Sequence, residues 1–156
     1  MEKYYSSYHL IDKNEIGKEI FLSSEFVFKV FFSNDLNCKI AEYYDDKKNV
    51  SWILYYYQTL TEKIKSHYLL NYRHAILSLC DEFPNGIKID FYQNWKISKC
   101  TIDIFYDNGS PKTTQEMDSN CQLVEYRQCI YDGSGTQIAE KIFYPDSWTI
   151  HTEKII

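Results

Sequence analysis

The apolar residues of this 156-residue chain change period at Pro84-Asn85-Gly86, and that change limits its possible folds more than any other feature. Upstream, Ile53, Tyr56, Tyr57, Leu60 and Ile64 fall on one side of a helical wheel at about 100° per residue. Leu69, Tyr72, Ile76, Leu79, Cys80 and Phe83 fall on another side, rotated by roughly a third of a turn. One straight helix cannot bury both stripes against a single sheet. Residues 51–83 are therefore predicted to form one bent helix or two helices. Asn49 or Ser51 serves as N-cap, the break lies between Ser66 and Asn71, and Pro84-Asn85-Gly86 is the stop.

From Ile87 onward the period is two. Ile87, Ile89 and Phe91 alternate with Lys88, Asp90 and Tyr92. Cys100, Ile102, Ile104 and Tyr106 alternate with Lys99, Thr101, Asp103 and Phe105. A two-residue turn at Asn94-Trp95 sets Asp90 opposite Lys99 and Ile89 opposite Cys100, which puts both apolar sets on one face. Asn108-Gly109 is a hairpin signal, but the stretch 112–117 is polar enough to read as an edge strand or a loop. Residues 122–131 and 136–144 flank Asp132-Gly133-Ser134-Gly135. A turn centred on Gly133-Ser134 sets Arg127 opposite Glu140 and Cys129 opposite Ile138. Residues 148–155 read as a last strand.

Nearer the N-terminus, 26–32 and 36–44 read as antiparallel strands, and 43–48 as a loop. A short strand near 4–10 and a helical turn near 14–22 precede them. The predicted fold is a single α+β domain. An antiparallel sheet, two N-terminal strands plus a C-terminal meander of four or five, packs against a bent helix or two helices.

The residue types offer little for catalysis. Five cysteines are spaced without a C-x₂₋₄-C pair, so they read as free thiols and not as zinc ligands. His67 and His74 stand seven apart, whereas metal-binding helical pairs are typically four apart. Asp45-Asp46, Asp81-Glu82, and Asp103 with Asp107 are paired carboxylates of the kind solvated loops carry. Asp132-Gly133-Ser134-Gly135 is explained by a hairpin and not by phosphate binding. No cofactor or metal is expected, and no enzyme activity. The N-terminus lacks a secretory pattern and the longest apolar run, 52–57, is too short to span a bilayer; a cytoplasmic protein with no membrane partner is expected.

Charge and aromatic content point to a protein partner. Residues 81–156 carry twelve acids against seven bases, the wrong sign for a nucleic-acid surface and the right one for a basic protein. Fifteen tyrosines supply rings that are half apolar and half polar, which suits specific interfaces. The residues 55–57, all Tyr, cover about 200° of arc on a helix, so at least one is exposed or lines a cavity. Two partner-binding surfaces are predicted. One is the loop carrying Tyr43, Tyr44, Asp45 and Asp46. The other is an outer sheet face carrying Asp90, Tyr92, Asp103, Phe105 and Asp107.

A small, acidic, aromatic-rich domain of this type resembles the immunity proteins of bacterial polymorphic-toxin and contact-dependent growth inhibition systems. The resemblance implies a chain that binds the C-terminal domain of a cognate toxin, commonly a basic nuclease, and blocks its active site or substrate surface. A small-ligand-binding domain with a Tyr-lined pocket and an enzyme of unrecognised type are the alternatives. They are separated by whether the helix–sheet interface holds a deep cavity, or a cleft gathers a Cys–His–Asp set or two close carboxylates. The purified protein is expected to carry no stoichiometric transition metal. Elemental analysis checks this, and one tightly held metal ion per chain would contradict it.

Overall fold

The computed structural model describes residues 1–8, 10 and 14–155. The predicted N-terminal strand near 4–10 therefore falls in part, at His9, outside the described residues. The strands are β1 (Lys3–Tyr5), β2 (Glu15–Ile16), β3 (Val27–Ser33), β4 (Cys38–Tyr44), β5 (Val50–Tyr55) and β6 (Ile76–Phe83). They continue as β7 (Gly86–Gln93), β8 (Lys96–Phe105), β9 (Pro111–Asp118), β10 (Leu123–Tyr131), β11 (Gln137–Tyr144) and β12 (Thr149–Lys154). The helices are α1 (Lys18–Ser23) and α2 (Glu62–Asn71). Hydrogen-bonded strand order runs β12-β11-β10-β9-β8-β7-β6-β5-β4-β3-β1-β2. Strands β5 and β6 pair in parallel.

This overturns the α+β expectation. Sheet dominates, and the long helical cover over 51–83 does not exist. That stretch is strand β5, helix α2 and strand β6, and the helix runs unbroken through Ser66–Asn71, where a break was predicted. The physical reason is burial from both sides. Ile53, Leu54 and Tyr55 are all 0% exposed, so β5 is covered on each face and has no alternation to betray it. A continuous apolar run of that kind fits a helix wheel as well as a strand. The parallel pairing of β5 with β6 needs a crossover, and α2 supplies it. Thr61 caps the helix, its hydroxyl accepting from the Ile64 N–H at 3.2 Å.

Two compact units are present. The first comprises Met1–Asp81 with Phe91–Gln93, the second Glu82–Asp90 with Asn94 onward. In the first unit, α2 lies on the face that carries Cys38, Ile40, Ile53, Tyr55, Leu77 and Leu79, contributing Ile64 to the core and Tyr68 and Tyr72 at its margin. On the opposite face, Trp52 stacks on Phe91 at 5.6 Å and meets Phe28, Tyr43 and Tyr8 edge-on. Tyrosine hydroxyls and one histidine fasten the helix. Tyr68 donates to the Ala75 carbonyl at 2.7 Å, Tyr72 to Glu42 Oε1 at 2.6 Å, and the Tyr55 hydroxyl lies 2.9 Å from His67 Nδ1. Glu42 also accepts from Tyr44 at 2.7 Å.

One turn recurs. At Asp45, Tyr106, Asp118 and Asp132, residue i donates its N–H to the carbonyl of i+4 and accepts the N–H of i+3. The i+3 residue takes positive φ each time: Lys48 at 60°, Gly109 at 77°, Cys121 at 61° and Gly135 at 84°. Residue i−1 then pairs with i+5: Tyr44 with Val50, Phe105 with Pro111, Met117 with Leu123, Tyr131 with Gln137. This is the three-residue hairpin loop with a bulge. At the three aspartates the carboxylate also accepts the N–H groups of i+2 and i+4, at 2.8 to 3.0 Å. A two-residue turn does occur at Asn94-Trp95, where both residues have positive φ. At the Pro84-Asn85-Gly86 stop, Asn85 takes φ 58° and Gly86 leaves room for the Phe83 ring, which a Cβ there would meet at 2.1 Å.

The repeated turn corrects two further expectations. The stretch 112–117 is no edge: β9 pairs with β8 on one side and β10 on the other. Arg127 stands opposite Ile142, not Glu140, and Cys129 opposite Glu140, not Ile138. The register moves by two residues because the loop holds three residues and a bulge. An even shift leaves every side chain on its predicted face.

Burial of His67 outweighs the nearby carboxylates of Asp35 and Glu42 and holds its pKa below 6.5. The unfolded chain then takes up the proton first as pH falls. This contribution to stability is complete above pH 6.5 and lost as pH drops through that value toward the folded pKa. Chemical denaturation at stepped pH is expected to show that loss in the wild type and not in His67→Gln. A second expectation concerns Cys121, a non-glycine residue at positive φ. Cys121→Gly should stabilise the chain by about 1 kcal/mol, read as a raised denaturation midpoint.

Candidate protein-binding face

Strands β8 to β12 form an antiparallel meander whose registers define straight rows across five strands. The central row of one face is Asp103, Thr114, Arg127, Ile142 and His151, each opposite the next. A neighbouring row sets Thr101, Glu116 and Glu125 side by side, and another sets Cys129, Glu140 and Glu153 side by side. Two carboxylate pairs, Glu116 with Glu125 and Glu140 with Glu153, are thus directly opposed on adjacent strands. Like charges so placed destabilise a sheet, and the sequence keeps two such pairs on one face.

Arg127 sits between them. Its Nε reaches Glu125 Oε1 at 2.5 Å and its Nη1 reaches Glu140 Oε2 at 3.0 Å. The hydrogen bond it donates to Glu125, with further help from the one to Glu140, pushes the guanidinium pKa above its already high ordinary value, so it stays charged. Lys99 meets Glu116 at 3.3 Å. By strand alternation the face bears Asp103, Glu116, Asp118, Glu125, Glu140 and Glu153 against Lys99, Lys112 and Arg127. It is acidic, broad and structured by its own ion pairs.

The other side of these strands is more apolar. Its central row is Ile102, Gln115, Tyr126, Phe143 and Ile150. An open groove of about 250 Å³ follows it between Tyr126, Gln128, Lys141, Phe143 and Ile150. Trp148 adds an exposed ring 6.3 Å from Phe143.

The predicted binding residues are scattered by this arrangement. Asp103 is on the acidic face but only 5% exposed, accepting the Thr114 hydroxyl at 2.6 Å, and Phe105 is 8% exposed. Neither is an outward residue. Asp90 is half-buried and bonds Lys88 at 3.0 Å. It lies beside Cys100, whose thiol is pushed up to about 12 by burial and then by that carboxylate. Asp90 therefore shares a face with Cys100, and Asp103, an odd step along the same strand, points the other way. Tyr92 belongs to the first unit, packed half-buried against its core. Asp107 is exposed and accepts from Asn85 Nδ2 at 2.9 Å.

The predicted loop surface is also altered. Tyr43 and Tyr44 are strand residues of β4. Tyr43 lies 4.9 Å from the Phe28 ring, and Tyr44 donates to Glu42. Asp45 closes the turn with its carboxylate, and only Asp46 of the four is exposed. Sequence reading missed Glu116, Glu125, Glu140 and Glu153. For three of them the available signal was alternation, each lying two residues from another polar residue of its strand: Thr114–Glu116, Glu125–Arg127 and His151–Glu153.

Among the described residues, no three His, Cys, Asp or Glu side chains converge as a metal site, and no helix is long and apolar enough to cross a membrane. No protein-family model matches the chain, and no curated protein matches it by sequence. Among solved structures it is similar to a mutant of S. aureus TarM in complex with Fondaparinux, alpha-GlcNAc-glycerol and UDP. Identity is 12% over 87% of this chain and 26% of that one, with a TM-score of 0.29. The chain thus spans about a quarter of that structure, a likeness too slight to carry an argument about fold or function.

Proposed function

We propose that this chain is a binding protein of the immunity type, which neutralises a basic toxin domain through the acidic face of β8 to β12. The supporting observation is the pair of opposed carboxylate couples, Glu116 with Glu125 and Glu140 with Glu153, flanking Arg127. Uncompensated negative charge on a flat, hydrogen-bonded platform is stabilised by a cationic partner and steers its approach. The partner's arginines and lysines meet fixed carboxylates, so little side-chain ordering is needed on this side of the interface. The core beneath α2 is filled by Tyr55, Ile53, Ile64 and Leu79, which favours a surface binder over an enclosed ligand pocket.

This reading expects a toxin gene beside this one, and the experiment uses the C-terminal domain that gene encodes. The Glu116→Lys, Glu140→Lys double variant is compared with wild type for association rate across salt and for protection on co-expression. At low salt the variant should associate about tenfold more slowly, with a flattened salt dependence, while circular dichroism is unchanged. Unaltered rates and full protection by the variant would remove this face from the interface. A wild-type chain that fails to bind the domain would remove the immunity reading itself.

A further inference from the structure

Strand β12 pairs with β11 on one side and, among the described residues, has no strand on the other. Its open backbone groups can be identified. The Ile155 N–H donates to the Ile138 carbonyl at 2.9 Å, in line with the register that sets Tyr144 opposite Thr149 and Ala139 opposite Lys154. In an antiparallel ladder the directly bonded pairs recur every second residue. Residues 149, 151 and 153 therefore turn their backbone groups toward β11, and Ile150, Thr152 and Lys154 turn theirs to the open edge.

We propose that this edge pairs with β12 of a second copy of the chain, antiparallel, about a two-fold axis at Thr152. Such an axis, normal to the sheet, keeps the two acidic faces on the same side, so only registers centred on a residue are allowed. Centring on Thr152 sets Thr152 against Thr152 and Ile150 against Lys154, and every open N–H and C=O of 150, 152 and 154 finds a partner. It also sets His151 of each copy opposite Glu153 of the other. The imidazole N–H, neutral or charged, is a donor to that carboxylate. Glu153 already faces Glu140 within its own chain, so the second copy brings a donor to the crowded acid pair. The His151 ring is placed by an edge contact with Tyr144 at 5.9 Å. On the other face the Lys154 stem covers Ile150, which is 61% exposed.

Neighbouring registers are worse. Centring on His151 opposes two histidines and needs residue 148, which Trp148 holds at φ 53° in the turn. Centring on Glu153 opposes two carboxylates. Charge and backbone pairing select one register between them. The proposal is independent of the toxin reading, because no toxin enters its test.

Sedimentation velocity of the full chain over a concentration series tests it. Wild type should pass from monomer to dimer. His151→Glu and Glu153→His should each weaken the dimer about tenfold, since two cross-pairs are lost per dimer. The double exchange His151→Glu, Glu153→His restores opposite partners in this register alone and should restore association. Thr152→Pro removes an open N–H without touching the β11 ladder, and should give a monomer with an unchanged circular dichroism spectrum. A wild type that stays monomeric throughout overturns the proposal and leaves the edge to a strand of another protein. A double exchange as weak as the single variants overturns the register, and with it the proposed interface.

Discussion

Register in the C-terminal meander depends on one turn. Each time a residue closes on the amide and carbonyl of i+3 and i+4, with i+3 at positive φ, the next strand starts in a determined phase. Phase decides which side chains share a face, because strand side chains alternate strictly. Had the register across the Asp132 turn shifted by a single residue, Glu140 and Ile142 would lie on the opposite face from Arg127. The acidic face is a consequence of turn geometry as much as of composition. Three of the four turns use an aspartate carboxylate to gather two loop N–H groups, and the Ser134 hydroxyl and these amides hold Asp132 below its ordinary pKa. Tyr106 opens the fourth, where Asn108 gathers one.

The two units solve the problem of sheet burial differently. The first covers its central strands on both faces, with α2 on one and an aromatic cluster around Trp52 on the other. Ser78, buried within it, is satisfied by the Trp52 indole N–H at 2.8 Å. The second contains a fully buried Ile142 at the centre of its acidic face, 0% exposed, with Arg127 opposite it on β10 and His151 opposite it on β12. Ion pairs along that face hold long side chains over the apolar centre, so the same residues that make it acidic also help shield it. Removing Arg127 takes a long side chain away from beside Ile142 and leaves Glu125 and Glu140 without the cation they share.

Turn chemistry, alternating strands and net charge were legible in the residues themselves. The Asp132-to-Gly135 hairpin, the Asn94-Trp95 turn, the pairing of 26–32 with 36–44 and the acidic C-terminal half all rest on local signals. The error over 51–83 has a definite cause. Helix and strand are told apart by which face is apolar, and β5 and β6 are apolar on both. Their identity is decided by partners distant in sequence, β4 on one side and the crossover through α2 on the other. Lys112 to Met117 misled for the converse reason: a polar strand can be central when its neighbours supply every backbone hydrogen bond and its Thr and Gln side chains need little burial.

The sequence by itself determined where the chain turns, which segments alternate and what sign of charge the C-terminal half presents, since these follow from φ preferences, side-chain period and ionisation of individual residues. Tertiary structure alone decided that Glu116 faces Glu125 and Glu140 faces Glu153, that Asp103 and Phe105 are buried, and that Asp90 turns away from them. Those outcomes depend on register, and register is a relation between strands that no single segment encodes.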